Sequence, residues 1–375
     1  MRNDTATLYR NKTIHALYAT ILKPIFFRND PELVHDWMTK AGVLLGRYSL
    51  GRAVTSAFFN YRNPSLLGQT IRGMRFENPI GLSAGFDKNA QLGDILPSVG
   101  FGFVEMGSIT GEPCEGNPKP RLWRMPKSRG LVVYYGLKND GCEAIVRRLE
   151  GKKFSIPIGM SVAMTNCIEN MDTTPAIADF AKAFRVMEPY ADYVTVNISC
   201  PNTVGGQPFV APDKLEALFR VIDAIPTEKS VFIKISPNMT DAELGALLDV
   251  ARCHRIHGIV CANLTKPRDN PNIVDADVPR VGGMSGKVVM DLSDEILAKI
   301  YKREGKRFVL VGAGGVFTAE DAYKKIRLGA SLVQLITGMV FEGPQAIGEI
   351  NRGLVALLKR DGFSNISQAI GIDTC

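Results

Sequence analysis

From residue 78 onward the chain alternates short apolar runs with stretches of helical periodicity, and the runs are closed by glycine or small polar residues. Eight runs read as strands: NPIGLSAG (78–85), FVEMGSI (103–109), PIGMSVAM (157–164), DYVTVNIS (192–199), VFIKIS (231–236), GIVCANL (258–264), RFVLVGAGG (307–315) and LVQLIT (332–337). Helix starts fall between them, at Thr174 with Pro175, Thr240 with Glu243 and Thr318 with Asp321, each resembling an N-cap or capping box. Eight strand-then-helix units predict an α/β protein built as a TIM (β/α)8 barrel, because open parallel sheets usually carry fewer units. The stretch 111–140, with PRLWRM and LVVYYG, breaks the rhythm and predicts an inserted antiparallel hairpin over the barrel mouth.

The segment before the barrel is patterned differently. Leu17, Tyr18, Ile21, Leu22, Ile25 and Phe26 share one side of a predicted helix ending near Phe27. A second helix is predicted after it, with Asp30 as N-cap, Pro31 at the first position, and Leu33, Trp37, Met38, Ala41, Leu44, Leu45 and Tyr48 at helical spacing. His15 and Lys23 interrupt the apolar stretch and no small-residue cleavage site follows, so it reads as neither signal peptide nor membrane span. The pair is either plain cover for a core or an apolar platform for a membrane surface. The expected division is a helical domain over 1–60 and a barrel over 61–375.

With 45% hydrophobic and 22% charged residues, the 375-residue chain has ordinary globular composition. The net charge of +7 is scattered rather than run together, which disfavours nucleic acid and fits an anionic ligand or lipid surface equally well. Seven cysteines, Cys114, Cys142, Cys167, Cys200, Cys253, Cys261 and Cys375, form no CxxC pair. They point to a reducing compartment and away from a zinc site or disulfide framework.

In such a barrel the C-terminal ends of the strands carry the chemistry. Here those ends hold Lys88 (in AGFDK), Gly107 and Ser108, Asn197, Lys234, Asn263, the glycines of 312–315, and Thr337 with Gly338. Glycines after strands seven and eight leave backbone N–H groups open to a phosphate. Lys234 lies in FIKIS between Ile233 and Ile235, which the pattern reads as inward-facing neighbours, so a buried lysine is preferred over one pointing to solvent. Asn197, Asn202 and Asn263 are each acceptable turn residues, but three amides at one mouth suit a cyclic amide or imide edge that alternates donor and acceptor.

Several motifs together resemble the dihydroorotate dehydrogenase family, in particular its membrane-associated, quinone-linked class: NDPELVHDW, NPIGLSAGFDKN, GNPKPRLWR, NISCPNT, GGMSGK, VGAGGV and GASLVQL. The resemblance spans nearly the whole chain. It implies an FMN-dependent dehydrogenase acting on a CH–CH group, dihydroorotate to orotate in pyrimidine biosynthesis, with electrons passed to quinone. It also implies peripheral contact with the cytoplasmic side of a membrane, a bacterial inner membrane, through the N-terminal helices. FMN would be held by Ala84, Gly85, Lys88, Ser108, Asn197, Lys234, Gly286, Gly315, Thr337 and Gly338. The substrate would meet Lys88, Asn197, Asn202 and Asn263, and Arg124 would mark the inner end of the quinone passage. No metal is implied, and the oligomeric state is left open.

Without context Cys200, in NISCPNTVGG, reads as a small buried hydrophobe. Just past a strand end in a glycine-bearing loop it can instead project over a substrate, and the family's catalytic base occupies this position. The quinone-linked class normally has serine here; a thiol, with an ordinary pKa of about 8.5, needs less activation than a hydroxyl. Other departures remove polar groups. Val133 and Ser161 stand where the family usually has asparagine, Ala262 and Leu264 replace hydroxyl residues around Asn263, and Ile336 replaces a frequent tyrosine. These changes raise a second possibility, a related FMN desaturase or reductase acting on a less polar dihydro-heterocycle or enone. A non-redox phosphate-binding barrel would not require Lys88, Lys234 and NISCPN together, and a flavin carrier without turnover would not require Cys200.

Overall fold

The structure, a computed structural model, describes residues 2–374. Thirteen strands form around the expected eight. They are β1 Gln69–Ile71, β2 Met74–Phe76, β3 Ile80–Leu82, β4 Phe103–Ile109, β5 Leu122–Met125, β6 Gly130–Val133, β7 Ile158–Val162, β8 Tyr193–Asn197, β9 Ser230–Lys234, β10 Gly258–Cys261, β11 Gly283–Gly286, β12 Val309–Ala313 and β13 Leu332–Leu335. Eight of them close a parallel barrel in the order β3-β4-β7-β8-β9-β10-β12-β13. Every apolar run predicted as a strand supplies one of these, trimmed at its ends.

Two cores follow from the alternation of side chains along each strand. Ile233 and Ile235 belong to the large layer between barrel and helices, whereas Phe232 joins Phe76, Phe103 and Tyr193 in a plug inside the barrel. Lys234 is therefore buried toward the interior as expected, while its isoleucine neighbours face the helices rather than inward as read from FIKIS. The hairpin β1–β2 was not anticipated; it brings Phe76 into the plug, and Phe76 meets Phe103 edge to face at 5.5 Å.

Helix starts are mostly as read. Thr240 with Glu243 and Thr318 with Asp321 form complete capping boxes. Thr174 does not cap; the helix Thr173–Met187 has its N-cap two residues earlier, at Asp172, and Pro175 is tolerated because first-turn N–H groups have no intrahelical partner.

The hairpin β5–β6 stands over the mouth as expected, and β11 pairs with β6 to make it a three-stranded sheet. The N-terminal segment forms α1 Arg2–Leu17, a π-helical turn Tyr18–Leu22, α2 Lys23–Arg28, α3 Pro31–Arg47 and α4 Ser49–Phe59. Asp30 caps α3 by accepting from the Leu33 N–H. One buried ion pair fastens α3 to the loop that leads into β5. Arg121 donates to Glu32 at 2.7 Å through Nη2, and both residues are almost fully buried.

Burial pushes the Glu32 carboxyl up, but the bonds from Arg121 overrule it and hold it below its ordinary value. A depressed carboxyl adds stability above the unfolded value of about 4.3 and loses it as pH falls through the folded one. Glu32→Ala, which strands the Arg121 guanidinium, is expected to cost ~3 kcal/mol in urea unfolding at neutral pH, and less at pH 3. A loss under ~1 kcal/mol at neutral pH would show that water already solvates the pair.

Candidate active site

One cavity of about 330 Å3 opens at the C-terminal ends of the barrel strands. Every site residue named from sequence lines it: Ala84, Gly85, Lys88, Ser108, Arg124, Asn197, Cys200, Asn202, Lys234, Asn263, Gly286, Gly315, Thr337 and Gly338. Its size is at the low end for a ligand pocket.

The floor is polar and largely self-paired. Asn197 Nδ2 donates to Ser108 Oγ at 2.8 Å, and Ser108 Oγ shares a 2.8 Å bond with Ser161 Oγ. Asn263 Nδ2 donates to Ser199 Oγ at 3.0 Å, while its Oδ1 accepts from the Leu264 N–H at 2.9 Å. Asn202 Nδ2 donates to the Val133 carbonyl at 2.8 Å, but its Oδ1 is buried without a partner. An unpaired buried acceptor costs free energy, so it marks where an N–H of a bound ring would be held. Lys234 is 5% exposed; among the described residues its ammonium hydrogen-bonds only Ser83 Oγ, at 3.2 Å, and burial lowers its pKa, with Glu105 opposing.

Lys88 enters from the loop after β3, which Asp87 stiffens by accepting the Gln91 and Leu92 N–H groups at 2.8 Å each. Its ammonium lies 4.1 Å from the Tyr135 ring centroid and 3.5 Å from His35 Nε2. Burial brings Lys88 down to about 8, and burial with the adjacent lysine brings His35 down to about 4. His35 and Tyr135 were not singled out from sequence. His35 sits within the NDPELVHDW motif, but its approach to Lys88 is a tertiary contact without local signal.

Cys200 is partly exposed as a residue, yet the protein packed around it pushes the thiol up to about 11, against the pull of Lys266 and Lys234. Burial thus works against the thiolate here, although a thiol still starts well below a hydroxyl. Behind the rim, Gly286 (φ +80°) and Gly315 (φ +75°) lie so close to their neighbours that a Cβ would sit 2.3 Å from the Arg129 carbonyl and 2.3 Å from Met290 Cβ, respectively. Glycine is therefore required at both positions by close packing against the protein itself, and both residues still line the cavity. Thr337 Oγ1 and Ser285 Oγ, 2.8 Å apart, complete that edge.

The opposite wall is apolar and belongs to the N-terminal helices: Phe26, Phe27, Val34 and Met38. Arg124 stands between the two regions, donating to the Asn29 carbonyl at 2.8 Å with its guanidinium 4.8 Å from the Phe27 ring centroid. On their outer side these helices expose Ile21, Leu22, Ile25, Trp37, Leu44 and Tyr48, and no described helix is long and apolar enough to cross a membrane. Among the described residues there is no cluster fit for a metal ion, and the described cysteines are free; Cys375 lies outside them.

Residues 66–358 match the family model described as dihydroorotate dehydrogenase. Proteins named dihydroorotate dehydrogenase (quinone) are similar over nearly their whole length: that of Natronomonas pharaonis is 37% identical over 94% of this chain and 98% of its own, and that of Cereibacter sphaeroides 38% identical over 92% and 94%. A solved structure of DHODH from Eimeria tenella in complex with ferulenol superposes with a TM-score of 0.80 at 28% identity, covering 92% of this chain and 96% of that one.

Proposed function

This chain belongs to the dihydroorotate dehydrogenase family, and from that premise we propose that it oxidises dihydroorotate to orotate in pyrimidine biosynthesis, with FMN as its flavin and a quinone as acceptor. The observation that carries this is the two-sided cavity, with a lysine- and amide-bearing floor facing an apolar wall of helices. The glycine edge at Gly286 and Gly315 and the Lys234 ammonium, which donates to Ser83 and forms no ion pair among the described residues, fit a flavin phosphate and an electron-rich ring, respectively.

When bound, the flavin supplies the acceptor for a hydride and returns two electrons to the quinone. Ala84, Gly85, Ser108, Asn197, Gly338 and Thr337 would hold it with the two glycines, and Lys88 and Lys234 would place positive charge against it. Asn202 Oδ1 accepts a ring N–H of the substrate, while Asn197, Asn263 and Lys88 orient its carbonyls and carboxylate. Cys200 removes the proton from the carbon α to the carbonyl and holds it at Sγ as the C–C single bond becomes double. The apolar helix wall, with Arg124 at its inner end, guides the quinone, and the exposed outer faces rest on the cytoplasmic side of a membrane.

The less polar pocket supports a second reading. Val133, Ala262, Leu264 and Ile336 all line the cavity, so a polar substrate would leave groups unpaired at about 1–3 kcal/mol each. A less polar dihydro-heterocycle or enone would not.

Anaerobic mixing of the yellow protein with dihydroorotate separates the two. The leading reading expects rapid bleaching, and a protein that takes up no flavin would overturn both. The second reading takes its place if bleaching is slow and Val133→Asn with Leu264→Thr speeds it by about tenfold or more, the worth of 1.4 kcal/mol.

Cys200→Ala is expected to slow bleaching by about a hundred- to ten-thousand-fold. Since the thiolate is the active form and burial holds the thiol at about 11, the wild-type rate should rise about tenfold per pH unit until Lys88, at about 8, begins to lose its charge. Cys200→Ser should keep part of the rate with its rising limb displaced to higher pH. Equal rates in all three proteins would return Cys200 to a packing role.

A further inference from the structure

Among the described residues seven charged side chains are buried: Glu32, Asp87, Glu105, Arg121, Lys234, Asp294 and Lys325. Four of them form two contact pairs, Arg121 with Glu32 at 2.7 Å and Lys325 with Asp294 at 2.6 Å. Asp87 is spent on backbone N–H groups. That leaves one carboxylate, Glu105, and one ammonium, Lys234, inside the same barrel and not in contact.

Their placement follows from register. Asn197 lies opposite Lys234 across β8 and β9, and Thr195 is two residues below Asn197 on the same face, ~7 Å along the strand. Glu105 Oε2 accepts from Thr195 Oγ1 at 3.1 Å, from Gln334 Nε2 at 3.0 Å and from Tyr193 Oη at 3.3 Å. The carboxylate thus sits one side-chain layer beneath the cavity floor, held by donors from two other strands, and Gln334 reaches from it to the cavity. A contact pair would occupy the lysine's donors and turn it downward. A one-layer gap keeps the attraction, which falls only as 1/r, and frees the donors.

We propose that Glu105 is the counter-charge of Lys234, a positioning residue that holds the lysine ammonium inside the barrel without contact, so that its N–H donors face the flavin ring. This rests on the flavin reading above. Lys234 is faced by Glu105 from β4 and by Cys200 from the loop after β8; Tyr193 of β8 faces Glu105 from beneath, and Ser83, Gln334 and Thr195 are neutral. Burial works against the lysine's charge and Glu105 supports it.

The test is the midpoint potential of the bound flavin against pH, in the holoprotein and in Glu105→Gln. While Lys234 stays charged, losing the carboxylate leaves a net positive charge, so the variant's potential should lie above wild type at acid pH. As its less supported ammonium deprotonates, the curve should cross and fall below wild type at alkaline pH. The expected swing is at least tenfold in relative affinity for reduced over oxidised flavin, ~30 mV for two electrons. Glu105→Asp, which keeps the charge, should follow wild type. If Glu105→Gln does not fold, Glu105→Met, which removes the charge at similar side-chain volume, should show the same crossing.

Curves parallel to wild type in the variant that folds would overturn the proposal and leave Glu105 as polar packing. Absence of bound flavin from the wild-type protein would instead overturn the proposed function.

Discussion

A lysine ammonium buried inside a closed barrel, touching one hydroxyl, is the constraint around which this molecule is arranged. Burying a charge without a partner is expensive, so the surrounding layers must supply compensation. Below Lys234 lie Glu105, Thr195 and Gln334, and below them the aromatic plug of Phe76, Phe103, Tyr193 and Phe232 excludes water. Beside it, in register on β8, lies the amide of Asn197, and toward the mouth lie Asn263 and the glycine edge. The chemistry is therefore stacked along the barrel axis: apolar plug, polar layer, cation, cavity.

Much of this stack was legible in the sequence because a parallel barrel makes position carry meaning. A strand covered on both sides must be apolar, so its end shows as the first polar or glycine residue, and that end is where the site forms. Asn197, Lys234, Asn263 and Thr337 were legible on that ground, and the structure brings them to one cavity. The burial of Lys234 was read correctly, but the facing of Ile233 and Ile235 was misjudged because a run of buried residues hides its own alternation. Helix α4, the β1–β2 hairpin and β11 went unread; the three strands are only three or four residues long, and short elements leave little periodic signal. The contact of His35 with Lys88 and the burial that raises the Cys200 thiol depend on packing across distant segments, which no local pattern reports.

The N-terminal helices do more than cover the barrel. They supply one wall of the cavity, and the Glu32–Arg121 pair ties that wall to the hairpin over the mouth. In the function proposed above, the apolar wall would serve the oily quinone and the polar floor the polar substrate. Two substrates of opposite polarity would then use one cavity in turn.

That division of labour between wall and floor is tested most directly by narrowing the wall alone. Val34 lines the cavity from α3 and is nearly buried, so Val34→Trp fills the passage without touching the floor. Stopped-flow measurement of the two half-reactions should find flavin reduction by substrate unchanged and reoxidation by a long-tailed quinone slowed at least tenfold, ~1.4 kcal/mol, with a small water-soluble oxidant unaffected. Equal slowing of both half-reactions, or of neither, would contradict the account.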